Sequence, residues 1–357
     1  MRPIEPVGLA AVREAQRRLA GVALRTPLVR LEVHDDDLLP FGREAHRLDR
    51  GPELGAAGST PPWADGRADI HLKLETLQPI GSFKLRGAGN ALRQLSAARL
   101  DAGVWTPSAG NMAQGVAWNA RALGVPCTAV VPENAPATKI AALERLDARI
   151  LRAPYDAWWQ SIVSHEFAGA AGTLIHPVSD AAVIAGNGTI GLEILDDLPE
   201  VDTILVPYGG GGLGVGIASA VRALRPGVRI VACEVETAAP FAVSLAAGAP
   251  QAIAHQPSFV DGIGGKSLLV EMWPAARLLL DGSLVVTLTE IAAAIRLLAE
   301  RAHVVAEGAG AVPVAAALSG RAGRGRIACV VSGGNIDSSV LAAILRGEIP
   351  PPSGKRS

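Results

Sequence analysis

The stretch TILVPYGGGGLGVGIASAVRAL, residues 203–224, places a short apolar run before four consecutive glycines and an alanine-rich segment after them. The apolar run predicts a β-strand and the segment that follows predicts a helix, with Gly209 to Gly212 between them. Glycines let successive backbone N–H groups converge on an anion, and a helix N-terminus adds a partial positive charge. The stretch therefore predicts a strand–loop–helix unit that binds a phosphate group.

The same alternation of strand and helix extends along the chain. Continuous apolar runs predict strands at 70–74, 127–131, 203–207, 228–233, 284–287 and 327–331. Helical patterns lie between them at 112–123, 137–146, 214–224, 290–302 and 309–318. Runs that do not alternate with polar residues are typical of strands covered on both faces. We therefore expect an α/β fold of mostly parallel, open sheets flanked by helices.

Composition and charge exclude several classes of function. The 357 residues are 49% hydrophobic, and 33 Lys plus Arg nearly balance 34 Asp plus Glu. This balance offers no electrostatic footprint for nucleic acid or an anionic membrane. We find no uninterrupted apolar run of transmembrane length and no secretory signal at the N-terminus. We expect a cytoplasmic protein with a small-molecule substrate and neither nucleic-acid nor membrane partners.

The three cysteines, Cys127, Cys233 and Cys329, lie far apart and show no metal-binding spacing. They predict neither a disulfide framework nor a zinc site. Cys127 and Cys329 stand in apolar runs, so we interpret both as small core residues.

The stretch PIGSFKLRGAGNAL, residues 79–92, places Lys84 between Phe83 and Leu85 where a helix begins. A lysine drawn into a pocket is costly as an ammonium ion and tends to lose its proton. Lys84 is therefore the candidate for a reactive amine. Lys266 in FVDGIGGKS is a rival, but it lacks the surrounding motif.

Two further polar stretches follow apolar runs, PSAGNMAQG at 107–115 and VVSGGNID at 330–337. In open α/β sheets, ligands collect at the carboxyl ends of the strands. Each stretch by itself is more often a helix cap than a site. Together with the lysine and the glycines they indicate one binding site.

A dinucleotide site is an alternative for the glycines. Gly209-x-Gly211-x-x-Gly214 fits the fingerprint of such sites, and Glu234 ends the next strand, where an acid that binds a ribose is expected. This pattern would indicate a nicotinamide-dependent dehydrogenase. It does not explain Lys84 or the two polar stretches.

The chain resembles the fold-type II pyridoxal-phosphate enzymes, which are similar to the tryptophan synthase β-subunit. Within them it is most similar to the threonine/serine dehydratase (ammonia-lyase) family, which is related to serine racemase. The resemblance covers nearly the whole chain through motifs in a fixed order: RTPLVRL (25–31), LKLETLQPIGSFKLRGA (72–88), SAGNMAQGVA (108–117), VVPENAPATKIAALERLDA (130–148), VIAGNGTIGLEIL (183–195), VPYGGGGLGVGIA (206–218), EGAGAV (307–312) and VSGGNID (331–337).

The resemblance implies a role for each matching residue. Lys84 would form the Schiff base with pyridoxal 5'-phosphate and would be the catalytic residue. The remaining cofactor contacts would come from Phe83 on the ring, Asn111 on the ring hydroxyl, Ser332 on the ring nitrogen, Glu307, and Gly209, Gly210, Gly211, Gly212 and Leu213 around the phosphate. The substrate carboxylate would be surrounded by Ser108, Ala109, Gly110 and Gln114.

The resemblance also implies the organisation of the chain. Residues 103–181 would form a small domain, and 1–102 plus 182–357 a large domain that binds the cofactor. A homodimer or homotetramer is expected. Independently of the resemblance, the irregular stretch 34–69 predicts a surface insertion loop and 347–357 a flexible tail.

The implied reaction is loss of water from a β-hydroxy amino acid such as L-threonine or L-serine, which gives a 2-oxo acid and ammonia. Racemases of the group carry a serine where this chain has Ala109, which favours elimination over racemisation. Racemisation and β-replacement on the same scaffold stay open as alternatives. The loop also has Met112 where the family usually has histidine, and Asn187 where glutamine is common.

A metal ion is not expected. Some relatives hold a divalent cation through an acid at the position of Glu234. The second acid expected nearby is absent, since Pro240 occupies that place and Glu236 is out of register. One carboxylate is a poor site for such a cation.

Overall fold

The computed structural model describes residues 3–34, 40–41 and 68–351. The predicted insertion loop at 34–69 lies mostly outside the described residues, although its last two positions begin a strand. The last six residues of the predicted tail at 347–357 also lie outside them. Among the described residues, no helix combines the length and apolar character required to cross a membrane.

Strands and helices alternate along the chain. The strands are β1 Leu28–Arg30, β2 Ala68–Leu74, β3 Val104–Pro107, β4 Cys127–Pro132, β5 Arg149–Ala153, β6 Thr173–Leu174, β7 Thr203–Pro207, β8 Arg229–Val235, β9 Ser283–Val286 and β10 Gly325–Val331. The helices are α1 Leu9–Leu19, α2 Lys84–Leu92, α3 Ala97–Asp101, α4 Asn111–Leu123, α5 Ala137–Glu144, α6 Tyr155–Ser164, α7 Ala181–Asp197, α8 Gly212–Leu224, α9 Pro240–Ala247, α10 Trp273–Leu279, α11 Leu288–Arg301, α12 Gly308–Leu318 and α13 Ser338–Leu345.

The strands form two sheets. One has six strands in the order β1-β2-β10-β7-β8-β9, in which only the β1–β2 pair is antiparallel. The other has four parallel strands in the order β5-β4-β3-β6. The predicted α/β fold with mostly parallel sheets is therefore confirmed. The four-stranded sheet lies within 103–181, the span predicted for a small domain, and the exact domain boundaries stay a prediction.

Both faces of the six-stranded sheet are buried, which explains the continuous apolar runs. Leu205 and Cys329 belong to a core that includes α11 and α12, whereas Ile204 and Val330 belong to a second core that includes α7, α8 and α10. Successive side chains of a strand point to opposite faces, so a strand covered on both sides must be apolar throughout. Cys127 and Cys329 are buried as predicted.

A buried polar network fixes the start of α2. The guanidinium of Arg86 donates to Glu75 at 2.8 Å and to Glu193 at 2.6 Å, and Lys73 Nζ lies 2.6 Å from the other Glu193 oxygen. All four side chains are buried. Since each charge has a partner, the network avoids the cost of a lone buried ion and ties α2 to β2 and α7.

Candidate active site

Lys84 and Ser332 are brought together by a pairing between two loops. Ser82 forms a β-bridge with Gly333, and Phe83 N–H donates to the Ser332 carbonyl at 3.0 Å. Ser332 directly follows β10, the strand that lies between β2 and β7 in the sheet. The carboxyl ends of these neighbouring strands thus place the lysine, the serine and the glycines at one edge of the sheet.

Lys84 is the first residue of α2, and the residue is partly buried. Nζ donates to the Pro177 carbonyl at 2.7 Å and lies 5.2 Å from the centroid of the Phe83 ring. Burial of the amine lowers the pKa of Lys84 to about 8. A large share of this amine is therefore neutral near pH 8, as a nucleophile or base requires. The rival Lys266 is exposed and lies over the Tyr155 ring.

The glycine loop lies at the start of α8 and is a candidate anion site. Gly211 precedes the helix with φ of +94°, and no side chain caps the helix. The free N–H groups of the first turn and the helix dipole favour an anion such as a phosphate. The Leu213 side chain is buried in the core, so only its backbone can take part. A phosphate therefore fits this loop, and the amine of Lys84 fits an aldehyde, as pyridoxal phosphate requires.

One segment that the sequence analysis did not single out, residues 176–179, contacts both the lysine and the glycines. The Pro177 carbonyl accepts the Lys84 hydrogen bond. A Cβ atom on Gly210 would lie 2.5 Å from Val178 Cγ2, and one on Gly212 would lie 2.9 Å from the Val178 carbonyl oxygen. Side chains at these two positions would therefore displace the segment that also orients Lys84.

Asn111, the first residue of α4, connects three parts of the chain. Its Nδ2 donates to Glu307 Oε1 at 2.8 Å, and its Oδ1 accepts from Asn335 Nδ2 at 2.7 Å. Glu307 precedes α12 and pairs through its backbone N–H with the Gly333 carbonyl. Asn335 was not singled out from the sequence, although it lies in the quoted stretch VVSGGNID.

The residues predicted around the substrate carboxylate lie in the loop before α4 and in its first turn. Ser108, Ala109 and Gly110 are partly exposed, and Gly110 N–H donates to Ser108 Oγ at 3.2 Å. Gln114 and Glu307 line a cavity of about 170 Å³. Met112, by contrast, is buried in the core beside the four-stranded sheet.

An ion pair lies in the wall of this cavity. Lys139 Nζ on α5 lies 2.7 Å from Asp261 Oδ2, and the neighbouring Thr138 hydroxyl donates to Asp337 at 2.8 Å. These contacts join the part of the chain that carries the four-stranded sheet to loops next to the six-stranded sheet.

Glu234 has a structural role at the start of α9. Its carboxylate accepts hydrogen bonds from the backbone N–H groups of Phe241 and Ala242 at the start of α9, and from Ser283 Oγ at 2.6 Å. Burial nevertheless raises the pKa of Glu234. Glu236 likewise accepts from the Leu288 N–H at the start of α11. The hydrogen bonds of Glu234 within the chain account for a carboxylate at this position, so Glu234 is not evidence for a bound dinucleotide or cation.

Gly214, the third glycine of the dinucleotide fingerprint, is not required for close packing. A Cβ atom there would meet its nearest neighbour, a Leu280 methyl group, at 3.6 Å, an ordinary contact. The fingerprint needs this glycine because its helix lies against a strand. The spacing therefore gives no support to a nicotinamide cofactor.

Glu307 is expected to make stability depend on pH. Burial, followed by the nearby charge of Asp261, raises the pKa of Glu307 to about 7, against the opposing effects of Lys139 and Asn111. The folded chain thus holds this proton more tightly than the unfolded chain. The resulting stability is present in full below the unfolded pKa of ~4.3 and is lost as pH rises through 7.

The measurement compares wild type with Glu307→Gln by urea denaturation of the cofactor-free protein. The free energy of unfolding of wild type relative to the variant should fall by up to about 3 kcal/mol between about pH 5 and pH 8. Glu144→Gln, a change at an exposed glutamate on α5, is the control and should show no such trend. A difference that rises with pH would contradict the sign.

The chain is similar to pyridoxal-phosphate dependent enzymes both in sequence and in structure. The profile of the pyridoxal-phosphate dependent enzyme family matches residues 58–333. The L-threonine ammonia-lyase of Thermotoga maritima is 41% identical over 281 residues, which cover 78% of this chain and 70% of that protein. The catabolic L-threonine dehydratase of Staphylococcus aureus strain N315 is 37% identical over 285 residues, with 78% and 82% covered.

Two solved structures are similar over almost their full length. Maize serine racemase is 32% identical, with a TM-score of 0.77 and coverage of 96% of this chain and 98% of that one. The processed form of threonine deaminase isoform 2 from Solanum lycopersicum is 27% identical, with a TM-score of 0.75 and coverage of 96% of each chain.

Proposed function

Because the chain belongs to the family of pyridoxal-phosphate dependent enzymes, we propose that it is a lyase that eliminates water from L-threonine, and also from L-serine, and releases an enamine that water hydrolyses to a 2-oxo acid and ammonia. The observation that carries this proposal is the position of Lys84. Its amine donates to the Pro177 carbonyl at 2.7 Å, and the next residue, Val178, packs against the glycines at the start of α8. The threonine ammonia-lyases among its relatives support the substrate class.

The residues of the chain supply binding, orientation and a base. The N–H groups around Gly209 to Gly212 would hold the cofactor phosphate, and Asn111 and Ser332 would contact its ring. When bound, pyridoxal phosphate supplies an aldehyde for the lysine amine and a ring that withdraws electrons from the substrate α-carbon. Ser332 has a neutral hydroxyl, which unlike an aspartate does not hold a ring nitrogen protonated, and this suits prompt loss of a β-hydroxyl group.

Lys84 is the proposed acid and base. Burial keeps its amine partly neutral near pH 8, so Nζ can accept a proton. An N–H group of the amine donates to the Pro177 carbonyl, which holds the nitrogen atom in place. The loop before α4 presents Ala109, which has no group that could return a proton from another side. The arrangement therefore favours elimination over racemisation.

The test is a panel assay on the purified enzyme with L-threonine, L-serine, D-serine, phenylserine and hydroxyaspartate. We expect ammonia and 2-oxo acid in equal amounts from L-threonine and L-serine, with little D-serine formed. A pocket that distinguishes one methyl group changes the preference between threonine and serine by only ~10–200-fold. Accumulation of D-serine without 2-oxo acid would overturn the lyase assignment in favour of a racemase.

The proposed assembly is a homodimer or homotetramer, and the proposed location is the cytoplasm. The family resemblance supports the assembly. The balanced charge and the lack of a spanning helix in the described part of the chain are compatible with the location. Light scattering on the purified protein gives the mass of the assembly directly.

A further inference from the structure

We propose that His176 is a positioning residue, which holds the segment 176–179 in the one conformation that places both the Pro177 carbonyl against Lys84 and Val178 against the phosphate-binding glycines. The inference rests on the role of Lys84 in the proposed function. It adds a residue that touches neither substrate nor cofactor in that scheme.

The His176 ring is bonded on both sides to backbone atoms. Nδ1 accepts the N–H of Ser179 at 2.7 Å and that of Val178 at 3.2 Å. Nε2 lies 3.0 Å from the Ile162 carbonyl, to which it must donate. Two donors at Nδ1 and an acceptor at Nε2 require the neutral ring with its proton on Nε2.

The surroundings of the ring keep it neutral. The side chain is 2% exposed, and the ring stacks on His165 with the centroids 4.3 Å apart. Burial, and then the charges of His165 and Lys84, lower the pKa of His176 to about 3. A histidine that is neutral at ordinary pH does not act as an acid, and its constant features are the hydrogen bonds that it accepts at Nδ1 and donates from Nε2.

The bonded segment is the part of the chain that joins the two halves of the site. Residue 177 provides the carbonyl that accepts from Lys84 Nζ at 2.7 Å. Residue 178 packs where a Cβ on Gly210 or Gly212 would clash, at 2.5 Å and 2.9 Å. Because Nδ1 holds the N–H groups of residues 178 and 179, it determines the backbone direction at both contacts.

Two substitutions distinguish the contribution of the hydrogen bonds at Nδ1 from that of the bond at Nε2. His176→Asn carries an amide at the distance of Nδ1 and can accept the N–H two residues on, as asparagine does in turns. His176→Gln carries its amide at the distance of Nε2, so it can donate to Ile162 but leaves the N–H groups of Val178 and Ser179 without an acceptor. The two variants have the same functional group and differ by one methylene.

We expect His176→Gln to accelerate hydrogen exchange in the peptide 176–180 and cofactor release from the holoenzyme by at least about tenfold, the scale of one lost buried hydrogen bond. His176→Asn should stay within about threefold of wild type in both measurements, by the same scale. Neither measurement depends on which reaction the enzyme catalyses. An error in the proposed substrate would therefore leave both results unchanged, and failure of this inference can be told apart from failure of the proposed function.

His165→Asn is the matched control. His165 has a left-handed backbone with φ of 63°, which asparagine tolerates. It stacks on the His176 ring and lies 3.4 Å from Ser179 Oγ, and it makes no hydrogen bond to the backbone of the described residues 176–179. We expect exchange and cofactor release within about twofold of wild type, because the change leaves the two backbone N–H bonds to His176 Nδ1 in place.

Two results would overturn the proposal. Equal behaviour of His176→Asn and His176→Gln would show that the Nδ1 bonds do not matter. Faster exchange in β7 and β10 to the same degree as in 176–180 would show that His176 supports the fold in general rather than the segment.

Discussion

Replacement of Lys84 by alanine is expected to lower the release of 2-oxo acid from L-threonine by at least about a thousandfold, since it removes both the covalent attachment point and the acid–base group. The visible absorption of the lysine-bound cofactor should disappear together with the activity. The measurements are the absorption spectrum after cofactor saturation and the initial rate of 2-oxo acid formation. A variant that keeps both the band and the rate would show that Lys84 is not the covalent residue.

Lys266→Ala is the control for this experiment, because Lys266 is the other lysine next to a glycine-rich stretch. It is exposed and its amine lies 5.0 Å from the centroid of the Tyr155 ring, so its loss should change the rate by less than about twofold. Far-ultraviolet circular dichroism of both variants should match wild type, since α2 keeps Arg86 and its buried partners.

Replacement of Gly211 by alanine is expected to weaken cofactor binding by about tenfold or more, because a left-handed residue with a Cβ costs ~1–2 kcal/mol. Gly211 has φ of +94°, and the added Cβ would lie 2.9 Å from the Tyr208 hydroxyl oxygen. Tyr208 is 2% exposed and stacks on Phe241, so it cannot move aside easily. The loop must shift instead, which takes N–H groups away from the phosphate. The dissociation constant is measured by titration of the cofactor-free protein.

Gly214→Ala is the matched control three residues along the chain. Its Cβ would make only ordinary contacts, and alanine is a better helix former than glycine by ~1 kcal/mol. We expect cofactor affinity close to that of wild type and unchanged or slightly higher stability. Equal weakening in both variants would contradict the role of backbone conformation at Gly211.

The sequence predicted most of the six-stranded sheet and less of the four-stranded one. All six predicted strands and all five predicted helices are present, with ends that differ by up to two residues. Four strands of the described chain were not predicted: β1, β3, β5 and β6. β6 has two residues and β1 has three, and β5 carries an arginine at its start and another at its fourth position. Short or charged strands lack the continuous apolar pattern. Whether such a segment forms a strand therefore depends on its pairing with neighbouring strands.

The candidate site was predictable where one stretch carries its own chemistry. Lys84, the glycines, Asn111 and Ser332 stand in quoted motifs, and the structure brings their segments together. His176, Pro177, Val178 and Asn335 were not predicted to act. Every residue has a backbone carbonyl, so the sequence cannot show which carbonyl binds the lysine. In the same way, the residue type of a histidine does not show whether its ring accepts backbone N–H groups or simply packs in a core.

The sequence by itself determined the alternation of strands and helices and the family, and it singled out Lys84 as the candidate amine, because apolar periodicity and glycine-rich turns act over a few residues. Only the tertiary structure decided which atoms surround that lysine. Its acceptor at Pro177 is 93 residues away, and the Asn111–Glu307 bond spans 196 residues. Contacts over such separations depend on how the sheets and helices pack, and no local pattern in the sequence records them.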